Sequence, residues 1–329
     1  MVVALSVRAP AKVNLALDVG PRDASGYHAV RTVLQEISLH DRIDLALSPR
    51  LDVAADDPRI PAGPVNLAWQ AADALRRAAG RPDASVRIRI RKRIPPQAGL
   101  GGGSSDAAAV LVGCNRLWGL DWPRERLRAV ATGLGADVPF FLTGGTALGI
   151  GHGERIGALP PLPAWAALVA QIGPGTSTAQ AYASLDALGQ WPHPPLAPLL
   201  SLCLDRPALR SHTARARLAA SSGNSFEATL PCPRPDVCAL QDRLQAAGAL
   251  CCGLCGSGAA VWALAPSVAW TVRVARELRA AALWARPVRF GNGGARIVSP
   301  AEGRGGRGRG LGHRRAGASG VSRRGEDAP

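Results

Sequence analysis

At 329 residues, with 47% hydrophobic and 19% charged side chains, the chain has the balance of a globular protein long enough for about two domains. That balance excludes wholesale disorder, a collagen-like fibre and a disulfide-stapled miniprotein. A net charge of +15 raises the question of an anionic partner, whether nucleic acid, acidic lipid or phosphorylated metabolite, without choosing among them.

Read in chain order, Val2 to Val7 is a short β-prone run. Val13, Leu15, Leu17 and Val19 then alternate with Asn14, Ala16 and Asp18 as a half-buried strand does. A helix is expected from Asn66 to Ala79. Val86, Ile88 and Ile90 alternate with Arg87, Arg89 and Arg91, which predicts a strand with one cationic face, ended by Pro95-Pro96. Gln97 to Asp106 is a glycine loop that runs into a helical stretch, with Ser104, Ser105 or Asp106 as possible N-caps. A second helix near Arg124 to Thr132 precedes GADVPFF, and the Gly-rich segment TGGTALGIGHGERI reads as a hairpin. A proline cluster, LPPLPAW, separates this half from the rest.

The second half opens with a β-like run, Leu168 to Ile172, after which Ser177 or Thr178 is placed to cap a helix to Leu188. A polar, Pro-rich connection follows. Helical segments are expected near Ser211 to Ala220, Ser225 to Leu230 and Asp236 to Ala247. Then come a tight turn within GLCGSGAAVWAL between two strands, a helix from Ser267 to Leu283, and a last strand, Val288 to Phe290. Strands in runs with helices grouped afterward favour an α+β architecture, divided into domains at 1–158 and 159–299. Residues 300–329, rich in Gly and Arg and without an aromatic ring, are expected to be a disordered basic tail.

Seven cysteines form an odd set with no secretion signal before them, so a cytoplasmic location is expected. Cys252-x-x-Cys255 lacks a second Cys pair or a nearby His and reads as small buried residues in a tight turn rather than a zinc site. The uncharged stretch 244–272 is interrupted by glycines and Pro266, so no membrane span is expected.

The first strong functional signal is Pro96-Gln97-Ala98-Gly99-Leu100-Gly101-Gly102-Gly103-Ser104-Ser105-Asp106. Glycines let backbone approach a ligand closely, and the following helix offers unpaired N–H groups and the positive end of its dipole, a site for phosphate. It is not the common P-loop, since no lysine follows the last glycine, and G-x-G-x-x-G fails because Ser104 holds the third glycine position. A second signal is compositional: Lys12 and Lys92 are the two lysines among 39 cationic residues. A compact ammonium at Lys12 departs from the chain's use of arginine and suits a role that a planar guanidinium does not fill. Asp137, between Gly135-Ala136 and Val138-Pro139, stands at a helix start. On the residues alone, a purely structural N-cap role stays open for it.

The glycine loop resembles the second motif of the GHMP kinases, and its extra glycines, GLGGGSSDAA, resemble those of the branch acting on 4-diphosphocytidyl-2-C-methyl-D-erythritol. Ala9-Pro10-Ala11-Lys12-Val13-Asn14 with Ser25-Gly26-Tyr27-His28 is similar to that branch's first motif, and Gly253 to Gly258 is similar to its third. Ala136-Asp137 to Phe141, Gly151-x-Gly153-Glu154 and Gly173 to Tyr182 match further segments in order. Leu254-Cys255 and Ser225 depart from the usual pattern.

The resemblance implies a two-domain α+β GHMP kinase fold, with an N-terminal domain like one found in a ribosomal protein and a ferredoxin-like C-terminal domain. It implies phosphorylation of the 2-hydroxyl of the cytidyl substrate by ATP with Mg²⁺. Asp137 would be the base and Lys12 its cationic partner. Pro96, Gly99, Leu100, Gly101, Gly102, Gly103, Ser104 and Ser105 would hold ATP, Ser105 also standing near the metal. Asn14, Tyr27, His28, Thr178 and Tyr182 would bind substrate, with Tyr27 and Tyr182 sandwiching the cytosine ring. No nucleic acid is required for this function, and a monomer or weak homodimer is expected. Homoserine or mevalonate as acceptor, and an RNA-binding role, are the competing readings.

Overall fold

The computed structural model describes residues 5–24, 26–175, 177–229 and 234–298. The expected tail, Val2 to Ala4 of the first β-prone run, and Ser25 of the first motif lie outside them. Among the described residues twelve strands form two sheets: β1 (Leu5–Arg22), β2 (His28–Leu47), β3 (Asp52–Ala55), β4 (Val86–Arg91), β5 (Thr146–Ile150), β6 (Arg155–Ala158), β7 (Ala166–Gln171), β8 (Gly223–Asn224), β9 (Cys251–Leu254), β10 (Ala260–Leu264), β11 (Trp284–Arg289) and β12 (Arg296–Val298). The first sheet runs β12-β1-β2-β4-β3, with β5 beside β2, β6 beside β5 and β8 parallel to β1. The second runs β11-β7-β10-β9, antiparallel throughout.

The two β-prone runs at the N-terminus are one strand. β1 passes through Ala9-Pro10 without ending, because pairing with β2 absorbs the disturbance as register shifts at Pro10/Ala11, Asn14/Ala16 and Val19/Arg22. β4 follows its sequence pattern, burying Val86, Ile88 and Ile90 beneath the helices α1 (Leu67–Ala78) and α2 (Gly102–Leu117). Burial of each such side chain contributes about 1.5–3 kcal/mol. Asn66 caps α1 by accepting a hydrogen bond from the Ala68 N–H. Helices α3 (Arg124–Thr132) and α4 (Val138–Thr143) complete this core through Leu127, Phe140 and Phe141.

The start of α2 differs from expectation. Its N-cap is Gly101, in the left-handed region at φ 73°, so Ser104, Ser105 and Asp106 lie inside the first turns and cap nothing. Only glycine fits at Gly101, since an added Cβ would stand 2.6 Å from the Phe141 ring and 3.2 Å from Lys12 Cγ.

A second core lies between the sheets, joining Ala11, Val13 and Leu15 of β1 to Val169, Trp262 and Leu264. Helix α5 (Thr178–Leu188) begins after Ser177, in the expected place, although the Ser177 side chain caps no N–H. In the Pro-rich connection, read as irregular, stand α6 (Leu196–Leu204) and α7 (Arg206–Leu209), where Leu199 and Leu202 reach the inter-sheet core. Helix α8 (Ala214–Ser221) follows, and Ser225–Thr229 is a 3₁₀ turn rather than an α-helix. Helices α9 (Pro235–Ala246) and α10 (Val268–Ala280) pack through Leu240, Leu244, Val274 and Leu278 on the outer face of the second sheet.

Candidate active site

Period-2 geometry sets the site. Val13 and Leu15 face the inter-sheet core, which sends Lys12 and Asn14 to the opposite side of β1, where both are buried at the floor of a cleft of about 560 Å³. The Asn14 amide has one orientation open to it. Its Oδ1 accepts from Lys12 Nζ at 2.8 Å and from the Gly256 N–H at 3.0 Å, and its Nδ2 donates to Thr32 Oγ1 at 2.9 Å. Thr32 in turn donates to the Ala16 carbonyl. Asn14 therefore anchors the lysine, in addition to lining the cleft.

Asp137 occupies the N-cap position of α4, yet its side chain caps no N–H. Instead its Oδ2 stands 3.7 Å from Lys12 Nζ, with 37% of the side chain exposed. The structural N-cap role left open by the sequence is not made. A carboxylate beside a buried ammonium, open on its remaining side, can accept a proton from a bound hydroxyl while the ammonium offsets the negative charge.

The glycine loop forms one wall. Pro96 and Gly99 to Ser104 line the cleft, and Leu100 O accepts the Lys12 N–H at 3.1 Å. At Gly99, φ 78°, an added Cβ would meet Cys255 O at 1.8 Å, so the loop lies directly against the turn of the third motif. That contact places Gly256 and Ser257 at the cleft, where Ser257 Oγ pairs with Thr178 Oγ1 at 3.3 Å. The departure at Cys255 puts a fully buried thiol, pushed up to about 12 by burial, behind the loop. The departure at Ser225 puts a hydroxyl between the Val19 N–H, which it accepts at 3.0 Å, and the Pro192 carbonyl, to which it donates at 2.6 Å.

Ser104 lines the cleft, whereas Ser105 is fully buried and its Oγ has no hydrogen-bond partner. Serine hydroxyls with the Asp137 carboxylate are hard oxygen donors, as Mg²⁺ on a nucleotide requires, and such sites need few protein ligands.

The residues expected to bind substrate divide into two groups. Thr178 and Tyr182 line the cleft, and burial, with Asp137 nearby, pushes the Tyr182 phenol up. His28 stacks on Tyr182 at 4.7 Å and an interplanar angle of 22°. Its Nδ1 donates to Gly20 O at 2.9 Å, while Nε2 makes no hydrogen bond and lies 3.4 Å from Asp186 Oδ1. Tyr27 is 64% exposed and pairs with His152 instead, ring centroids 5.2 Å apart. The two tyrosines thus stand in separate aromatic pairs.

Sequence reasoning missed Thr32, Asn66 and Lys92, all of which line the cleft. For Lys92 the signal was present, since the argument from lysine rarity applies to it as fully as to Lys12.

A family model described as the GHMP kinases N terminal domain matches residues 66–145. A 4-diphosphocytidyl-2-C-methyl-D-erythritol kinase of Geobacter sulfurreducens is 40% identical over 288 residues, spanning 87% of this chain and 98% of that protein. A protein of the same name from Moorella thermoacetica is 40% identical over 277 residues, 84% of this chain and 95% of its own length. A crystal structure of 4-(cytidine 5'-diphospho)-2C-methyl-D-erythritol kinase superposes with a TM-score of 0.71 at 35% identity, covering 87% of this chain and 100% of that one. Homoserine kinase from Cytophaga hutchinsonii, at 20% identity and a TM-score of 0.70 over 91% of this chain and 98% of its own, shares the fold.

Proposed function

The chain belongs to the 4-diphosphocytidyl-2-C-methyl-D-erythritol kinases of the GHMP kinase family, and we infer from that premise that it transfers the γ-phosphoryl group of ATP to the 2-hydroxyl of that substrate. The observation that carries the reading is the Lys12–Asp137 pair, 3.7 Å apart at the mouth of the glycine loop. Asp137 takes the hydroxyl proton as the new O–P bond forms and the bond from the γ-phosphorus to the bridging oxygen breaks, leaving ADP. Lys12 offsets charge on the transferring group. Transfer of this kind depends mostly on alignment and electrostatics, which suits a lysine fixed by Asn14 at 2.8 Å.

The N–H groups at the start of α2 hold the ATP phosphates, and of the two serine hydroxyls the one on Ser104, which lines the cleft, would reach Mg²⁺ there, the expected donor Ser105 being fully buried. That ion, when bound, neutralises charge on the phosphates. Thr178 contacts the polyol and Tyr182 offers one face to the cytosine, its other face backed by His28. A division near residues 158 and 159 has in its favour that the second sheet begins at β7, although β8 and β12 return to the first sheet.

The test is ADP release with the cytidyl substrate beside homoserine and mevalonate. Turnover with the cytidyl substrate alone is expected. Equal or faster turnover with either other alcohol, or none with any, contradicts the assignment.

A further inference from the structure

Beneath the glycine loop lies a buried charge cluster that the transfer chemistry does not use. Lys92 Nζ stands 2.5 Å from Asp41 Oδ2 and 2.8 Å from Asp106 Oδ2, and the three side chains are 5% exposed or less. Asp41, on β2, also accepts the N–H groups of Arg93 and Ile94 through its Oδ1, at 2.5 and 2.9 Å. Lys92, Arg93 and Ile94 lead into the glycine loop from β4, whereas Asp106 lies on α2, which leaves it. The cluster therefore joins the two ends of the loop to each other and to the sheet. Its ammonium is also close under the phosphate cradle, 3.2 Å from where a Cβ on Gly102 would stand.

Two carboxyl groups around one ammonium cannot both ionise without leaving an excess of negative charge, and Asp106 Oδ1 is buried with no partner. Burial pushes the Asp106 carboxyl up to about 8 against the pull of Lys92, with Asp41 adding to the rise. Buried ionic clusters of this kind contribute little net stability compared with apolar residues of the same volume, because desolvation cancels most of the attraction. What they do supply is geometry.

We propose that Asp41, Lys92 and Asp106 form a clasp that closes the neck of the phosphate loop and sets its shape for ATP, making Lys92 and Asp106 positioning residues for the transfer reaction. The proposal rests on the loop being the ATP cradle. Lys92 acts through the loop because its ammonium is held at short range by Asp41 and Asp106. It differs in this from Lys12, which has one carboxylate at longer range.

The test uses the full chain, native and with Asp106→Ala, Asp106→Asn and Lys92→Arg. It reads KM for each substrate, kcat, ATP affinity by calorimetry without acceptor, and the melting temperature. Asp106→Ala opens the clasp and is expected to weaken ATP about tenfold, with kcat within about threefold and the acceptor KM unchanged. Asp106→Asn keeps an oxygen for Lys92 and restores ATP affinity to within about twofold. Lys92→Arg keeps the charge but forces a larger group under Gly102, and it weakens ATP about tenfold as well. The proposal is overturned if ATP affinity is unchanged in both Asp106→Ala and Lys92→Arg, if Asp106→Asn is no better than Asp106→Ala, or if ATP and acceptor weaken together in step with the melting temperature. Should Asp106→Ala fail to fold, Lys92→Arg alone decides. Failure of the native chain to bind ATP at all would instead reject the reading of the loop.

Discussion

Lys12 and Lys92, the two lysines in a chain with 37 arginines, both reach one glycine loop, Lys12 at Gly101 and Lys92 at Gly102, and are held in different ways. Lys12 has a single carboxylate, Asp137, at 3.7 Å and an amide at 2.8 Å. Lys92 sits between two carboxylates at 2.5 and 2.8 Å, all of it buried. A loosely paired ammonium keeps charge to offer a phosphoryl oxygen. A doubly paired one has its charge consumed locally and fixes the backbone around it. A planar guanidinium fork would not reproduce the compact contacts that either ammonium makes.

That contrast can be broken by substitution at either lysine. The largest effect is expected for Lys12→Met, which removes the charge facing the transferred group: kcat falls by about 10²–10³ with ATP affinity changed far less, read by steady-state kinetics beside calorimetry. An equal fall in affinity would make Lys12 a binding residue like any other. The clasp variants come next, acting on ATP alone. Tyr182→Ala removes the stacked face beside His28 and is expected to raise the acceptor KM by roughly tenfold while sparing ATP, since an aromatic pair contributes about 0.5–1.5 kcal/mol beyond its burial. An unchanged acceptor KM would remove Tyr182 from the substrate site.

The last effect, on stability rather than turnover, sharpens the account of Lys92. Asp106 has its folded pKa pushed up to about 8, from an ordinary value near 4, so the folded state holds its proton more tightly than the unfolded chain does. The stability from this group is complete below about pH 4 and is lost as pH rises through about 8. The groups facing it are Lys92, which attracts the ionised form, and Asp41, which repels it. Melting temperatures of the native chain should therefore decline from about pH 5 to about pH 8.5 relative to Asp106→Asn. Parallel curves would show that Asp106 is already ionised across that range.

Much of this molecule was legible in its sequence where one physical pattern dominated. β4 alternates strictly because one face is covered by helices and the other is open, and the glycine loop announced itself because close backbone approach requires glycine. β2 was not read, because its middle, Thr32 to Ile37, is buried on both faces and loses the alternation that marks a strand. α6 was hidden by prolines on either side of a short apolar run that only the inter-sheet core explains. At the site, Lys12, Asn14 and Asp137 could be named from motifs, but the role of Asn14 as anchor for Lys12 depends on Gly256, 242 residues away. Lys92 was visible and passed over, since its two partners come from β2 and α2 and no local spacing connects them.

The central claim, that Asp137 accepts the substrate proton beside Lys12, is tested most directly by rapid-quench single turnover of Asp137→Asn against the native chain at saturating ATP and cytidyl substrate. The account predicts a chemical step slowed by about 10²–10⁴ with ATP and substrate affinities unchanged. A chemical step at the native rate in the Asn variant would contradict it and leave Asp137 as the head of α4 and nothing more.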